Sequence, residues 1–178
     1  MIHPAKDYRG ENLCPDRIVQ GISGTMSILI AAEFRQIVKQ GKRIMGLDVG
    51  TKTVGVALSD VRHMIASPLE TVMRKKFRDD VVRFQNIVRD HEVGGVLLGL
   101  PLSMDGSEGP RCQSIRAFAD NLGEAIELPM TFWDERLSTS AVERMLVDDV
   151  DMSRKRRGQI IDKLAAVYIL QGFLDAQA

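Results

Sequence analysis

The sequence predicts an α/β fold in which helices cover both faces of one mixed sheet, and three features point there. Its 178 residues are room for one ordinary core and too few for two sizeable ones. Strand-like segments follow one another up to about residue 71 and then alternate with amphipathic helical segments. The run Val96-Leu97-Leu98-Gly99-Leu100 is apolar on both faces, as a central parallel strand must be.

Residues 1–25 mix Pro, Gly, charge and isolated apolar residues with no period, which predicts an irregular extension. Ile30, Phe34, Ile37 and Val38 then fit helical spacing, giving a short lead-in helix near 27–40 that Gly41 would stop. Met26 opens that stretch and is a candidate translation start. The division expected is thus 1–42 as an N-terminal extension and 43–178 as the functional domain.

Arg43 to Val49 reads as a strand, Gly50-Thr51-Lys52 as a tight turn and Thr53 to Ser59 as the hairpin partner. A third strand is expected over His63 to Thr71, with Pro68 marking a sheet edge or a strand end. Phe77, Val81, Phe84 and Val88 form one face of a helix to Glu92, where Gly94-Gly95 break the pattern. After the Val96–Leu100 strand, Pro110 suits a first helical position, and Ile115, Phe118, Ala119, Leu122 and Ile126 supply the inward stripe. Met130 to Trp133 is a short strand, and Ser140 with Glu143 fits a capping box for a helix through Leu146, which Ser138 or Thr139 would cap as well. A final helix is expected from about Arg157 to Leu174. A meander of strands, then alternation, then a terminal helix is the ribonuclease H-like order, with five strands in a mixed sheet, although the alternation by itself also fits other mixed α/β folds.

Composition narrows the function. Hydrophobic residues make up 44% and charged residues 27%, as in ordinary globular chains. The apolar stretch Met26 to Ala32 is far short of a membrane span and lacks the basic flank of a signal peptide, so cytoplasmic residence without membrane association is expected. Cys14 and Cys112 are too few for a disulfide framework and read as free thiols. Lys and Arg number 24 and Asp and Glu 24, which excludes binding of nucleic acid through overall charge excess. The basic runs 74–78 and 154–157 are each offset by nearby acids, and such runs are most often solvated surface.

Particular acids carry the chemistry. Asp48 interrupts an apolar strand, where its carboxylate must be desolvated; it is equally well read as a cation ligand or as an acceptor within its own Gly-rich turn. Asp134 and Glu135 follow a strand's carboxyl end, where α/β sites gather, although spacing alone favours a surface ion pair with Arg136. Asp162 shares a helix face with Ala165, Ala166, Ile169 and Phe173, and no Lys or Arg stands three or four positions away. A distant Arg is its lesser alternative partner. Carboxylates from separate elements without evident cationic partners are what a hard divalent ion such as Mg2+ requires. His3, His63 and His91 show no paired ligand spacing.

Longer motifs surround these acids. They are Gly46-Leu47-Asp48-Val49-Gly50-Thr51-Lys52-Thr53-Val54-Gly55-Val56-Ala57, the loop Gly99 to Pro110 reading GLPLSMDGSEGP, Trp133-Asp134-Glu135-Arg136-Leu137-Ser138-Thr139, and Asp162-Lys163-Leu164-Ala165-Ala166. Over residues 43–175 the chain resembles the YqgF family, also called RuvX-like, of pre-16S rRNA nucleases and Holliday junction resolvase-like proteins. The resemblance implies a ribonuclease H-like fold and metal-dependent phosphodiester hydrolysis with Mg2+ or Mn2+. It implies Asp48, Glu135 and Asp162 as metal ligands and catalytic acids, with Asp134 as the alternative to its neighbour. Pre-rRNA is the expected substrate ahead of branched DNA, with the small ribosomal subunit as a partner and a monomer or homodimer as the assembly. Thr51, Lys52, Ser103 in the Leu102–Pro110 loop, Arg136, Arg154, Arg156 and Arg157 are the candidates for phosphate contact. Two readings compete. One is an actin-like or sugar-kinase-like ATPase suggested by Asp48-Val49-Gly50-Thr51, which the short length and the lack of a second phosphate motif oppose. The other is an RNA-binding module that does not cut, which the retained acids oppose.

Overall fold

The computed structural model describes residues 28–39, 41–135 and 154–176, with the backbone alone for 154–160. Its strands are β1 (Ile28–Leu29), β2 (Arg43–Val49), β3 (Thr53–Ser59), β4 (Ala66–Met73), β5 (Val93–Leu100) and β6 (Met130–Asp134). Its helices are α1 (Ala31–Ile37), α2 (Phe77–Asp90), α3 (Pro110–Ala125) and α4 (Arg154–Asp175). The sheet order is β1-β6-β5-β2-β3-β4. β2, β3 and β4 form the antiparallel meander, while β5 joins β2 in parallel and β6 joins β5 in parallel. This is the ribonuclease H-like arrangement with a two-residue strand added at one edge.

The added strand changes the reading of the N-terminal segment. Where one helix near 27–40 was expected, Ile28–Leu29 pair in parallel with Met130–Thr131 and the helix covers only Ala31–Ile37. The Thr131 hydroxyl donates to the Leu29 carbonyl (2.8 Å) and fixes the pairing. Phe34 and Val38 are fully inside, so this segment supplies part of the core.

β5 also begins earlier than its apolar run, because Gly94 and Gly95 continue the strand. A Cβ at Gly95 would stand 2.5 Å from Val38 Cγ2 and 2.7 Å from Phe34 Cζ, so the missing side chain is what seats α1 on the sheet. β4 starts at Ala66 instead of His63 because Asp60 accepts the N–H groups of Arg62, Met64 and Ile65 and holds that stretch as a turn. Pro68 does sit on the sheet's edge strand, beside a register shift between Val56 and Ala57. The final helix starts at Arg154, earlier than expected. The helix expected through Leu146 and the cysteine at 14 lie outside the described residues, whereas Cys112 is free and buried.

Strand alternation divides the interior into two layers. Met45, Leu47, Val54, Val56, Val96, Leu98 and Phe132 meet Val81, Phe84 and Ile87 of α2 and Ile115, Phe118 and Leu122 of α3. The opposite face brings Ile44, Ala57 and Leu97 against Phe34 of α1 and Ala166, Ile169, Leu170 and Phe173 of α4. Phe173 anchors that second layer, edge-on to both Phe34 and Trp133. No helix among the described residues is long and apolar enough to cross a membrane.

Candidate active site

The acids collect on the face covered by α4. Asp48 alternates with Ile44 and Gly46 on that side of β2, while Met45, Leu47 and Val49 point the other way. Directly across the β2–β3 ladder from Asp48 stands Gly55. A Cβ there would lie 2.0 Å from the Asp162 carbonyl oxygen, so the bare backbone at Gly55 admits α4 at that point. Ladder pairing and close approach together put Asp162 beside Asp48.

A second glycine makes room on the other side. Gly99 pairs with Trp133 in register, and a Cβ at Gly99 would stand 2.5 Å from both Glu135 Oε1 and Ile169 Cδ1. The Glu135 carboxylate therefore lies over β5 on the α4 face. Asp134, which pairs with Leu100, holds the opposite parity, that of Phe132 and Met130 in the α2/α3 layer. Strand parity thus separates two acids that sequence spacing left together.

Electrostatics couples the group. Burial pushes the Asp48 carboxyl above its ordinary range; the Arg111 guanidinium opposes this and the charge of Asp162 adds to it. Burial likewise pushes Glu135 up to about 7, with Asp48 and Asp134 raising it and Arg111 lowering it. Asp48 is the shared member, feeling Asp162 on one side and acting on Glu135 on the other. Arg111 Nη2 is 4.0 Å from Asp48 Oδ1, and the Asp48 side chain is only 16% exposed against 62% for Arg111. At Asp48 the charge of Arg111 outweighs that of Asp162, so burial is the main cause of the rise there.

This arrangement tests the expectation of a three-carboxylate metal site. Among the described residues no three His, Cys, Asp or Glu lie close enough together to hold an ion by themselves. The expected trio is met instead as neighbours around Asp48, and burial raises the proton affinity of Asp48 and Glu135. The donor set still suits a hard cation. Mg2+ is commonly held by one or two carboxylates, with water and substrate phosphate completing its shell, and the ligands here are all oxygen. Burial disfavours the charged form at both Asp48 and Glu135, which a bound cation would offset.

The remaining predicted contacts are distributed as follows. Thr51 and Lys52 occupy the exposed hairpin turn, closed by the Gly50 N–H donating to the Thr53 carbonyl at 2.9 Å. Ser103 is exposed in the loop after β5, where its N–H donates to the Ser107 carbonyl (3.0 Å) and Asp105 accepts from the Ser107 N–H and hydroxyl. Arg136 lies outside the described residues, and Arg154, Arg156 and Arg157 are placed only by backbone, on the first turns of the helix that carries Asp162.

Two arginines went unnoticed in the sequence. Among the described residues Arg111 is a cation facing the acids, and its position immediately after Pro110, at the start of a helix following a motif loop, is the available signal. Arg74 belongs to the basic run 74–78, whose pattern is that of solvated surface. It is half-buried, donates from Nη1 to the Gly50 carbonyl (2.8 Å) and stacks over Phe118 with its guanidinium carbon 5.4 Å from the ring centroid.

Comparison with known proteins follows from this geometry. The family model described as "RuvX: Holliday junction resolvase" matches residues 42–176. The chain belongs to the RuvX family. It is 53% identical over 150 residues to a protein of Paramagnetospirillum magneticum named "Putative pre-16S rRNA nuclease", covering 84% of this chain and 96% of that one. A Roseobacter denitrificans protein of the same name is 57% identical over 146 residues, covering 81% of this chain and 89% of that one. Among solved structures, T. thermophilus RuvC in complex with a Holliday junction substrate is similar at 13% identity and a TM-score of 0.48, covering 77% of this chain and 96% of that one.

Proposed function

We propose that this RuvX-family chain is a metal-dependent nuclease that hydrolyses RNA phosphodiesters, with precursor 16S rRNA as its substrate. The observation that carries the reading is the pair of largely desolvated carboxylates, Asp48 and Glu135, brought to one face of the sheet over glycine-thinned strands, with burial pushing both above their ordinary range. Asp48 and Glu135 are the principal metal ligands and catalytic acids, Asp162 completes the set from α4, and Asp134 is the outer neighbour. Mg2+ or Mn2+ is the proposed ion. When bound, such an ion polarises the scissile phosphate and lowers the pKa of the attacking water.

The chain's own residues do the rest. Burial keeps the carboxylates short of solvent, so they favour a cation over a proton once pH passes the value of about 7 for Glu135. Arg111 beside Asp48 offers a counter-charge to a substrate phosphate approaching the same place. Thr51, Lys52, Ser103, Arg136, Arg154, Arg156 and Arg157 are the proposed contacts to the nucleic-acid backbone. Action on the small ribosomal subunit in the cytoplasm, as monomer or homodimer, belongs to the same proposal.

A second reading, cleavage of four-way DNA junctions, is favoured by the description of the matching family model. The deciding experiment incubates the purified chain with Mg2+ or Mn2+ on RNA spanning the 5′ end of 16S rRNA and, separately, on a four-way DNA junction. The proposal expects RNA cleavage that disappears in Asp48→Asn and Glu135→Gln. Cleavage of the junction alone would move the substrate to DNA, and cleavage of neither would overturn the nuclease reading.

A further inference from the structure

Between the hairpin turn and α3 lies a cavity of about 80 Å3, lined by Gly50, Thr51, Arg74, Arg111 and Ser114 among others. That is room enough for one tetrahedral oxyanion. Two guanidinium groups share it. Among the described residues Arg74 has no carboxylate within 4.0 Å, and Arg111 reaches one only at that limit, at Asp48.

Arg74 is fixed in place. Its backbone N–H donates to the Lys52 carbonyl (2.9 Å), its Nη1 to the Gly50 carbonyl (2.8 Å), and Phe118 supports the guanidinium plane. A guanidinium has five N–H donors, so this bracing leaves it with donors to offer. The hydroxyls of Thr51 and Ser114 add two more groups able to donate to an oxyanion.

We infer that this cavity is a phosphate pocket that seats one backbone phosphodiester of the substrate, next to the one cut at Asp48 and Glu135, and so sets where cleavage falls. Arg111 joins the two places, lining the pocket while touching Asp48. The inference rests on the nuclease reading and assigns it a positioning subsite of which Arg74, Arg111 and Ser114 are new members. A pocket for an internal phosphodiester and one for a terminal 5′-phosphate share this chemistry, and the test separates them.

Binding of a fluorescent single-stranded RNA is measured in chelator, so that nothing is cut, over a range of KCl concentrations. Arg111 is exposed enough for Arg111→Gln to leave the fold intact. That variant should bind about tenfold more weakly, with the slope of log affinity against log salt reduced by about 0.7. Thr51→Val should show a smaller loss in affinity. Single methylphosphonate replacements along the RNA should then reveal one internal position whose neutralisation abolishes the penalty of both variants. The penalty should be the same for 5′-phosphate and 5′-hydroxyl RNA; a penalty confined to the 5′-phosphate would overturn the internal assignment. Unchanged affinity and slope in Arg111→Gln, or penalties that persist at every methylphosphonate position, would overturn the pocket. If the wild-type chain cuts RNA while these variants bind normally, the pocket alone fails. If the wild-type chain neither binds nor cuts RNA or junction, the pocket falls together with the nuclease reading.

Discussion

The two faces of the sheet solve different problems with the same strands. Against α2 and α3 the strands offer Leu47, Val54, Val56, Leu98 and Phe132, which bury large apolar side chains. Against α4 the corresponding positions include Asp48, Gly55 and Gly99, where bare backbone lets a helix and a carboxylate come close. The first layer stabilises the fold through apolar burial. The second sacrifices some of that burial to bring charges together.

The largest effect should follow from breaking the charged face alone. Asp48→Asn removes the charge shared by the cluster, so cleavage should fall beyond the roughly 10–100-fold loss typical of merely supporting residues at metal sites. Circular dichroism and the fold should be preserved. On the apolar face the pattern inverts. Phe84 is fully buried, and Phe84→Ala should destabilise the protein by about 3–5 kcal/mol in urea titrations while activity per folded molecule stays near wild type. Equal stability losses from both substitutions would erase the distinction between the faces.

Gly55→Ala tests the thin face at its tightest point. The added methyl would stand 2.0 Å from the Asp162 carbonyl, so α4 must shift. A cost of about 1–3 kcal/mol is expected, accompanied by loss of cleavage out of proportion to it. A variant as stable and active as wild type would show that close helix approach does not position Asp162.

Much of this was legible in sequence because it depended on local pattern. β2 and β3 fall where alternation and the Gly50 turn placed them, and Asp48 was conspicuous as a charge in an apolar strand. Which of Asp134 and Glu135 faces α4 was not legible, since it depends on the parity set by pairing β6 with β5. Gly94 and Gly95 read as breakers because a glycine that seats a distant helix looks the same as one that ends an element. Arg74 and Arg111 became a pair only when the hairpin turn met α3.

A smaller effect sharpens the electrostatic side. Glu135 has a folded-state pKa of about 7, above that of the unfolded carboxyl, so folding binds its proton. Its stabilising contribution is fully present below the unfolded pKa of about 4.3 and is lost as pH rises through about 7, by on the order of 1–3 kcal/mol. Glu135→Gln cannot ionise. Urea titrations in chelator should therefore show the variant gaining on wild type between pH 5 and pH 8, whereas a constant gap would place the carboxyl in an ordinary environment.

The measurement that tests the central claim most directly is thermal melting of wild type, Asp48→Asn and Glu135→Gln at pH 8, each in chelator and in excess Mg2+. Carboxylates that repel one another until a cation arrives predict that both variants melt above wild type in chelator and that wild type alone rises substantially when Mg2+ is added. Variants that melt below wild type in chelator, and that gain as much as wild type from Mg2+, would contradict the assignment of this face as the metal-binding active site.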